Sequence, residues 1–410
     1  MRRSFSKKLV ALASVVMLLG LVLVSCGGAK KEVTINIWEQ HDDTIDKVFD
    51  EMIAEFMAAN PDIKVVRTHY GTEDLREQFR TAALGGGGPE MIFGPNDNIG
   101  TMVQTGILMP LDNMLAGVVK KLSPAAVEAS SLEGKIYGLP ILVGNTLTLL
   151  YNKSMVDKPA TKMSEIIALT AKYKDGKTYP MVFNQTEAFW FVTFLGAFGG
   201  RVFAADGKTP TLNTPEMKKA LAYYYGLKQK GVIPRESDYD VSDKMFKEGK
   251  AAYLINGPWS FQGYADALKD KLGIAVLPVV DESGLPILAW NAAKTVSVNA
   301  NIKDKAVLDA VKKFLEFMAS KEFQVKYALV AKESPANLEA MADSRIQADA
   351  FIAATANQVK QSIPMPINAE MRAVWDAIGP TLKKVMTGAV TPEAAAEEMQ
   401  KIAEAKIKEM

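Results

Sequence analysis

The chain has 410 residues, 48% apolar and 23% charged, with 48 Lys and Arg against 47 Asp and Glu. That usage excludes a disordered or collagen-like chain, and the near-neutral balance lacks the basic field that nucleic-acid binding needs. One Cys excludes a disulfide framework, two His leave little for a His-based metal site, and the length fits roughly two or three domains.

The first 25 residues do not belong to the fold. Arg2, Arg3, Lys7 and Lys8 precede an apolar run from Leu9 to Val24. The run is short of the ~20 residues of a spanning helix and reads as a secretory signal. Leu23-Val24-Ser25-Cys26 followed by Gly27-Gly28 is similar to a lipobox. Cys26 is therefore the expected lipidation site, with 26–32 as a lipidated tether. Cleavage before Cys26 leaves 44 basic and 47 acidic residues.

Val33–Trp38 alternates as a strand. Ile45, Val48, Phe49, Met52, Ile53 and Phe56 then fall on one helical face, opened by Asp42-Asp43-Thr44 and closed by Asn60-Pro61. A strand at Ile63–Val66, a helix at Leu75–Leu84, a glycine run at 85–88 and a strand at Met91–Phe93 follow. This alternation implies a parallel α/β sheet. Two strands at 136–140 and 146–151 are joined by Ile141 to Asn145. Thr214-Pro215-Glu216 opens a helix that closes at Gly231. Strands are expected at 251–255, 273–277 and 295–298, then a long helix at Lys305–Met318. From Pro335 onward the chain reads as helical, with a Thr391-Pro392-Glu393 cap near its end. Two α/β lobes without a flexible linker imply several short hinge crossings.

Motifs for chemistry are sparse. The glycines at 85–88 lack the G-x-G-x-x-G spacing and follow a helix, which makes them a cap and loop. Gly-Lys-Thr at 176–178 and 207–209 lacks the upstream Gly of a P-loop, so both are turns. His41-Asp42-Asp43 lies on one loop with no second His nearby, and no metal or cofactor is expected. There is no G-x-S-x-G and no H-E-x-x-H. A carboxylate pair for glycoside cleavage stays open, since such pairs need no sequence proximity.

Asn256-Gly257-Pro258-Trp259, with the preceding Phe246 to Ile255, resembles the signature of family 1 extracellular solute-binding proteins, the sugar-capturing subunits of ATP-binding-cassette importers. Blocks at 89–97, 106–111, 134–140, 150–153 and 371–375 agree in order. The maltose and maltodextrin binders are the branch it most resembles. The resemblance implies an α/β, two-lobed periplasmic-binding-protein fold (type II). Each lobe would be a mostly parallel sheet with flanking helices, joined by hinge crossings. The first lobe is expected at 33–141 and 288–334, the second at 142–287 and 335–410.

Carried over by position, the resemblance implies ligand contacts at Asp42, Asp97, Asn145, Glu187, Phe189, Trp190, Trp259, Met365 and Trp375. Asp43 stands where maltose binders have Lys, Asn98 where they have a basic residue, and Asp376 beside Trp375 where they have Tyr. Asp43 and Asp376 are further candidates and add acidity that suits an aminated sugar. Trp290, near a hinge crossing, is another candidate, whereas Trp38 reads as core. Aromatic faces cover the C–H side of a sugar ring, and carboxylates or amides bond its hydroxyls.

The function so implied is capture of an oligosaccharide, maltodextrin-like or related, and its delivery to a membrane permease. The receptor would be a monomer, lipid-anchored at an extracytoplasmic face, without enzymatic chemistry or nucleic-acid partner. Two other readings are a binding protein for a non-sugar solute and a glycoside-cleaving enzyme using Glu187 with Asp97.

Overall fold

The structure is a computed structural model that describes residues 32–41 and 43–410. The expected signal segment, Cys26 and Asp42 lie outside the described residues, as do the side chains of Asp43 and Thr44. The strands of the first half are β1 (Val33–Glu39), β2 (Ile63–His69), β3 (Met91–Pro95), β4 (Ser131–Leu132), β5 (Lys135–Ile136) and β6 (Leu139–Asn145). Those of the middle are β7 (Thr148–Asn152), β8 (Tyr179–Val182), β9 (Ala251–Asn256), β10 (Leu272–Ala275), β11 (Val279–Val280) and β12 (Leu285–Pro286). β13 (Trp290–Val298), β14 (Ser334–Pro335) and β15 (Ile363–Pro364) complete them.

Among the described residues, two larger sheets organise the molecule. One has the order β14-β6-β13-β3-β1-β2, with β15 on β13, and the other β10-β7-β9-β8. The α/β two-lobe architecture expected from sequence is present, but the sheets are not mostly parallel. β1 pairs in parallel with β2 and β3, whereas β13 is antiparallel to both β3 and β6. In the second sheet β7 is antiparallel to β9 and β10, and β8–β9 is parallel. The reason is topological. β13 returns from the other sheet and inserts against the direction of its neighbours, whereas the pairs joined through helices, such as β1–β2 and β8–β9, have the crossovers that parallel pairing needs.

Each sheet has its own core. Ile45, Phe49, Met52, Ile53 and Phe56 of the helix Asp43–Ala59 are buried against Ile35, Ile37 and Phe93. This is the face that the sequence spacing marks, and each such side chain contributes about 1.5–3 kcal/mol when fully buried. The second core surrounds the helix Ala188–Ala197, which is buried almost all round. The glycine run begins as a helix cap at Gly85. The two Asp-Gly-Lys-Thr segments are matching turns. Asp175 Oδ1 accepts from the backbone of Lys177 and Thr178 at 2.9 and 2.8 Å, and Asp206 Oδ1 from Lys208 and Thr209 at 2.9 Å each.

The chain passes between the sheets at Thr146-Leu147, between β6 and β7. It passes back along β13: Trp290 and Ala292 pack in the second core, Val296 and Val298 in the first. A further passage follows the helix Ala350–Val359. Ala336, Ala340, Ile346 and Ile352 pack in the first core and Met365 in the second. The stretch just after residue 334 therefore packs with the first sheet, not the second as expected. Its short helices carry no strand signal that would reveal which sheet they cover. Just past the last of these passages, Ile367 O accepts from the backbone N–H of Gly100 at 2.9 Å. A Cβ at Gly100 would lie 2.3 Å from that oxygen, so only glycine permits the approach.

Candidate functional site

A cleft of about 1140 Å³ lies between the two sheets. One wall comes from the ends of β1, β2 and β3 and from the helix Thr72–Leu84. The other comes from the start of the helix Ala188–Ala197, the turn after β9, and the helix Glu370–Thr387.

The second wall is aromatic. Trp259 closes the Asn-Gly-Pro-Trp segment. Asn256 Nδ2 donates to Tyr264 Oη at 2.7 Å, while its Oδ1 accepts from Gly257 N at 2.9 Å. Trp259 folds its ring back over Gly257, where a Cβ would stand 2.0 Å from Cζ3. The missing side chain is what seats the ring. Trp259 Nε1 donates to Tyr239 Oη at 3.1 Å, and Lys294 Nζ lies 5.8 Å from the ring centroid. Lys294 belongs to the first sheet, so this cation–π contact spans the cleft.

Trp190 lines the cleft but is largely a core residue. It is 3% exposed, donates Nε1 to Ile255 O at 2.8 Å, and meets Trp259 edge-on at 6.2 Å. Phe189 beside it is partly buried and lines the cleft. Trp375 lines the cleft too, with Trp290 behind it at 5.4 Å between ring centroids. Trp290 is 4% exposed and does not line the cleft, which corrects its candidacy. Its place at the start of β13 turns it into the second core. Trp38, expected in the core, is only partly buried and packs with Tyr70 against a small buried cluster of the first lobe.

The polar groups form one network across the cleft. Arg76 donates to Asp97 Oδ1 at 2.7 Å and to Glu73 Oε1 at 2.6 Å. Trp375 Nε1 donates to Asp97 Oδ2 at 3.1 Å. Arg372 donates to Glu73 Oε2 at 3.1 Å and pairs with Asp376 Oδ1 at 2.9 Å. Lys406 Nζ donates to Asp376 Oδ2 at 2.7 Å. Asp376 therefore lines the cleft with its charge answered by two cations. That corrects the expectation that Asp376 adds acidity for an aminated sugar. Sequence reasoning missed Arg76, Glu73 and Arg372. Their only signal is charge on helix faces, which is also the mark of ordinary solvated positions.

Burial pushes the Asp97 carboxyl up, while Arg76 opposes the shift. Burial also works against the Glu73 charge, but Arg76 and Arg372 outweigh it and hold that carboxyl below the usual range. Glu187 immediately precedes the helix Ala188–Ala197, and its side chain accepts from Asn184 Nδ2 at 2.9 Å. It faces the open cleft, yet the enclosing walls strip much of its hydration. Enclosure is the main cause that pushes its pKa up to about 7, with Glu73 and Asp97 adding and Arg76 opposing. Asn145 and Met365 line the cleft and are 7% and 6% exposed.

Metal ligation has little room here. Among the described residues Glu39, Asp46 and His69 converge, but Arg67 already binds Glu39 Oε1 at 2.7 Å and also pairs with Asp46. His41 is packed edge-on against Phe49 and Phe93 at 4.8 Å each, and burial pushes its pKa well down.

This architecture has close parallels. A family model described as bacterial extracellular solute-binding protein matches residues 51–354. The solved maltose/maltodextrin-binding domain of Bdellovibrio bacteriovorus, bound to maltotriose, superposes with a TM-score of 0.88 at 37% identity, over 92% of this chain and 100% of that one. A maltotriose-binding protein of Pyrococcus abyssi is 27% identical, over 88% of this chain and 78% of its own length. A maltooligosaccharide ABC transporter solute-binding lipoprotein of Streptococcus pneumoniae is 26% identical, over 95% of each chain. Each of these three is named for binding.

Proposed function

Because the chain belongs to the bacterial extracellular solute-binding proteins, we propose that its cleft captures a maltooligosaccharide. One observation carries this reading: Trp259, Trp375 and Phe189 line the same space as Asp97, Glu187 and Asn145. Flat rings suit the C–H faces of pyranoses, and fixed acceptors and donors suit their hydroxyls. The names of the relatives point to the same ligand class.

The site acts by capture and not by catalysis. Asp97, the partner that a glycoside-cleaving reading gives Glu187, has both its oxygens engaged, one by Arg76 and one by Trp375. The ligand contacts proposed are Asp97, Asn145, Glu187, Phe189, Trp259, Met365 and Trp375, with Trp190 supporting Trp259. Asp42 and Asp43, which flank this wall in sequence, belong to the proposed set as well. The first lobe comprises about 33–145 and 293–360, and the second about 146–292 and 361–410, following the packing of each core. Hinge closure sequesters the sugar between them. A lipid on Cys26 holds the monomer at the extracytoplasmic membrane face, where it delivers the sugar to an ABC permease. No cofactor takes part.

Titration of the mature chain with maltotriose, followed by tryptophan fluorescence, tests the reading. A saturable change is expected, because Trp259 and Trp375 sit on the cleft. A flat response to maltotriose and to longer maltooligosaccharides would overturn it.

A further inference from the structure

We infer that Tyr70 is the first lobe's stacking face for the bound sugar, an inference that rests on the saccharide reading above. The rings on the cleft are unevenly divided. Phe189, Trp190, Tyr239, Trp259 and Trp375 all pack with the second core. A pyranose has two faces, and rings on one wall cover only one of them; a ring on the opposite wall would cover the other.

That wall offers few candidates. Phe93 is 1% exposed, and His41 is wedged edge-on against Phe49 and Phe93. His69 is a small polar ring with Nδ1 3.5 Å from the Glu39 carboxylate. Gly94 and Pro95 at the end of β3 carry no aromatic ring. Tyr70 is left, partly buried and lining the cleft.

The support behind Tyr70 suits the role. Its ring rests on Trp38, with centroids 4.9 Å apart and planes at 51°. Its backbone N–H donates to Glu39 O at 2.9 Å, which ties the segment to the end of β1. One side of the ring is thus held by an indole while the residue borders open space. Glu73 and Arg76 follow in sequence, pair with each other at 2.6 Å and line the same cleft. Residues 70–76 therefore join an apolar face to polar groups, the combination that reads a pyranoside.

Calorimetric titration with maltotriose of the wild type, Tyr70→Phe, Tyr70→Leu and Tyr70→Ala tests this. Tyr70→Phe keeps the flat face and is expected within about threefold of the wild-type Kd, whereas Tyr70→Ala and Tyr70→Leu weaken binding about tenfold or more. Leucine still fills space against Trp38, so a loss in that variant reports the missing ring and not a collapsed loop. Wild-type affinity in Tyr70→Leu or Tyr70→Ala overturns the inference while leaving the saccharide reading intact. A wild type that binds no maltotriose overturns the saccharide reading, and this inference with it.

Discussion

Trp375 donates its indole N–H to Asp97 Oδ2 at 3.1 Å, so the two walls of the cleft meet at this carboxylate. The other oxygen of Asp97 takes a hydrogen bond from Arg76 at 2.7 Å. Asp97 thereby fixes the orientation of a ring on the opposite wall and neutralises a guanidinium on its own.

Asp97→Ala removes one partner of a nearly buried ion pair and leaves Arg76 to Glu73 alone. Breaking such a pair costs about 3 kcal/mol, which urea unfolding of the variant should show. Maltotriose affinity should fall in the same variant, since Trp375 loses its anchor. Unchanged stability would mean that the pair is solvated in solution.

Glu187 gives the cleft a pH dependence of known sign. Its pKa in the folded chain is raised to about 7, above the ordinary carboxylate value. Its contribution to stability is therefore fully present below that ordinary value and is lost as pH rises through about 7. The melting temperature of the wild type relative to Glu187→Gln should accordingly fall between about pH 5 and about pH 8. A constant difference across that window would show that Glu187 titrates as a free carboxylate.

Gly257→Ala should act through Trp259. The backbone at Gly257 has φ −106°, which any residue adopts, so the sole conflict is with the indole ring 2.0 Å from the added Cβ. Displacing the ring breaks its bond to Tyr239 and its contact with Lys294. A cost of about 1–3 kcal/mol in stability is expected, together with a changed near-ultraviolet circular dichroism and weaker maltotriose binding. Wild-type binding in this variant would exclude Trp259 from the ligand site.

Trp190 and Trp259 should separate stability from binding. Trp190→Ala empties a buried site and loses the bond to Ile255 O, at about 3–5 kcal/mol in chemical unfolding. Trp259→Ala should cost less stability and more affinity, because its ring is partly exposed to the cleft.

The first lobe was the more readable in sequence, for physical reasons. The helix Asp43–Ala59 buries one face only, so Ile45 to Phe56 repeat at helical spacing. The helix Ala188–Ala197 buries nearly every side chain, which erases that periodicity, and sequence reasoning placed no helix there. Antiparallel β13 was likewise hidden, since strand direction leaves no mark in hydrophobic alternation. At the site, Trp259 and Trp375 were legible through the order of the blocks around them. Arg76, Glu73 and Arg372 were not, because the pairs that tie them to the site, Arg76–Asp97 and Arg372–Glu73, join residues 21 and 299 positions apart.

Thermal unfolding of residues 27–410 against maltotriose, glucose, other oligosaccharides, amines and metal ions tests the central claim most directly. A ligand at 100 times its Kd stabilises the folded state by about 2.7 kcal/mol, which raises the midpoint by roughly a few degrees for a chain of this size. The account expects that rise with maltotriose and not with amines or metal ions. A midpoint unmoved by every saccharide, or raised by an amine or a metal ion instead, would contradict it.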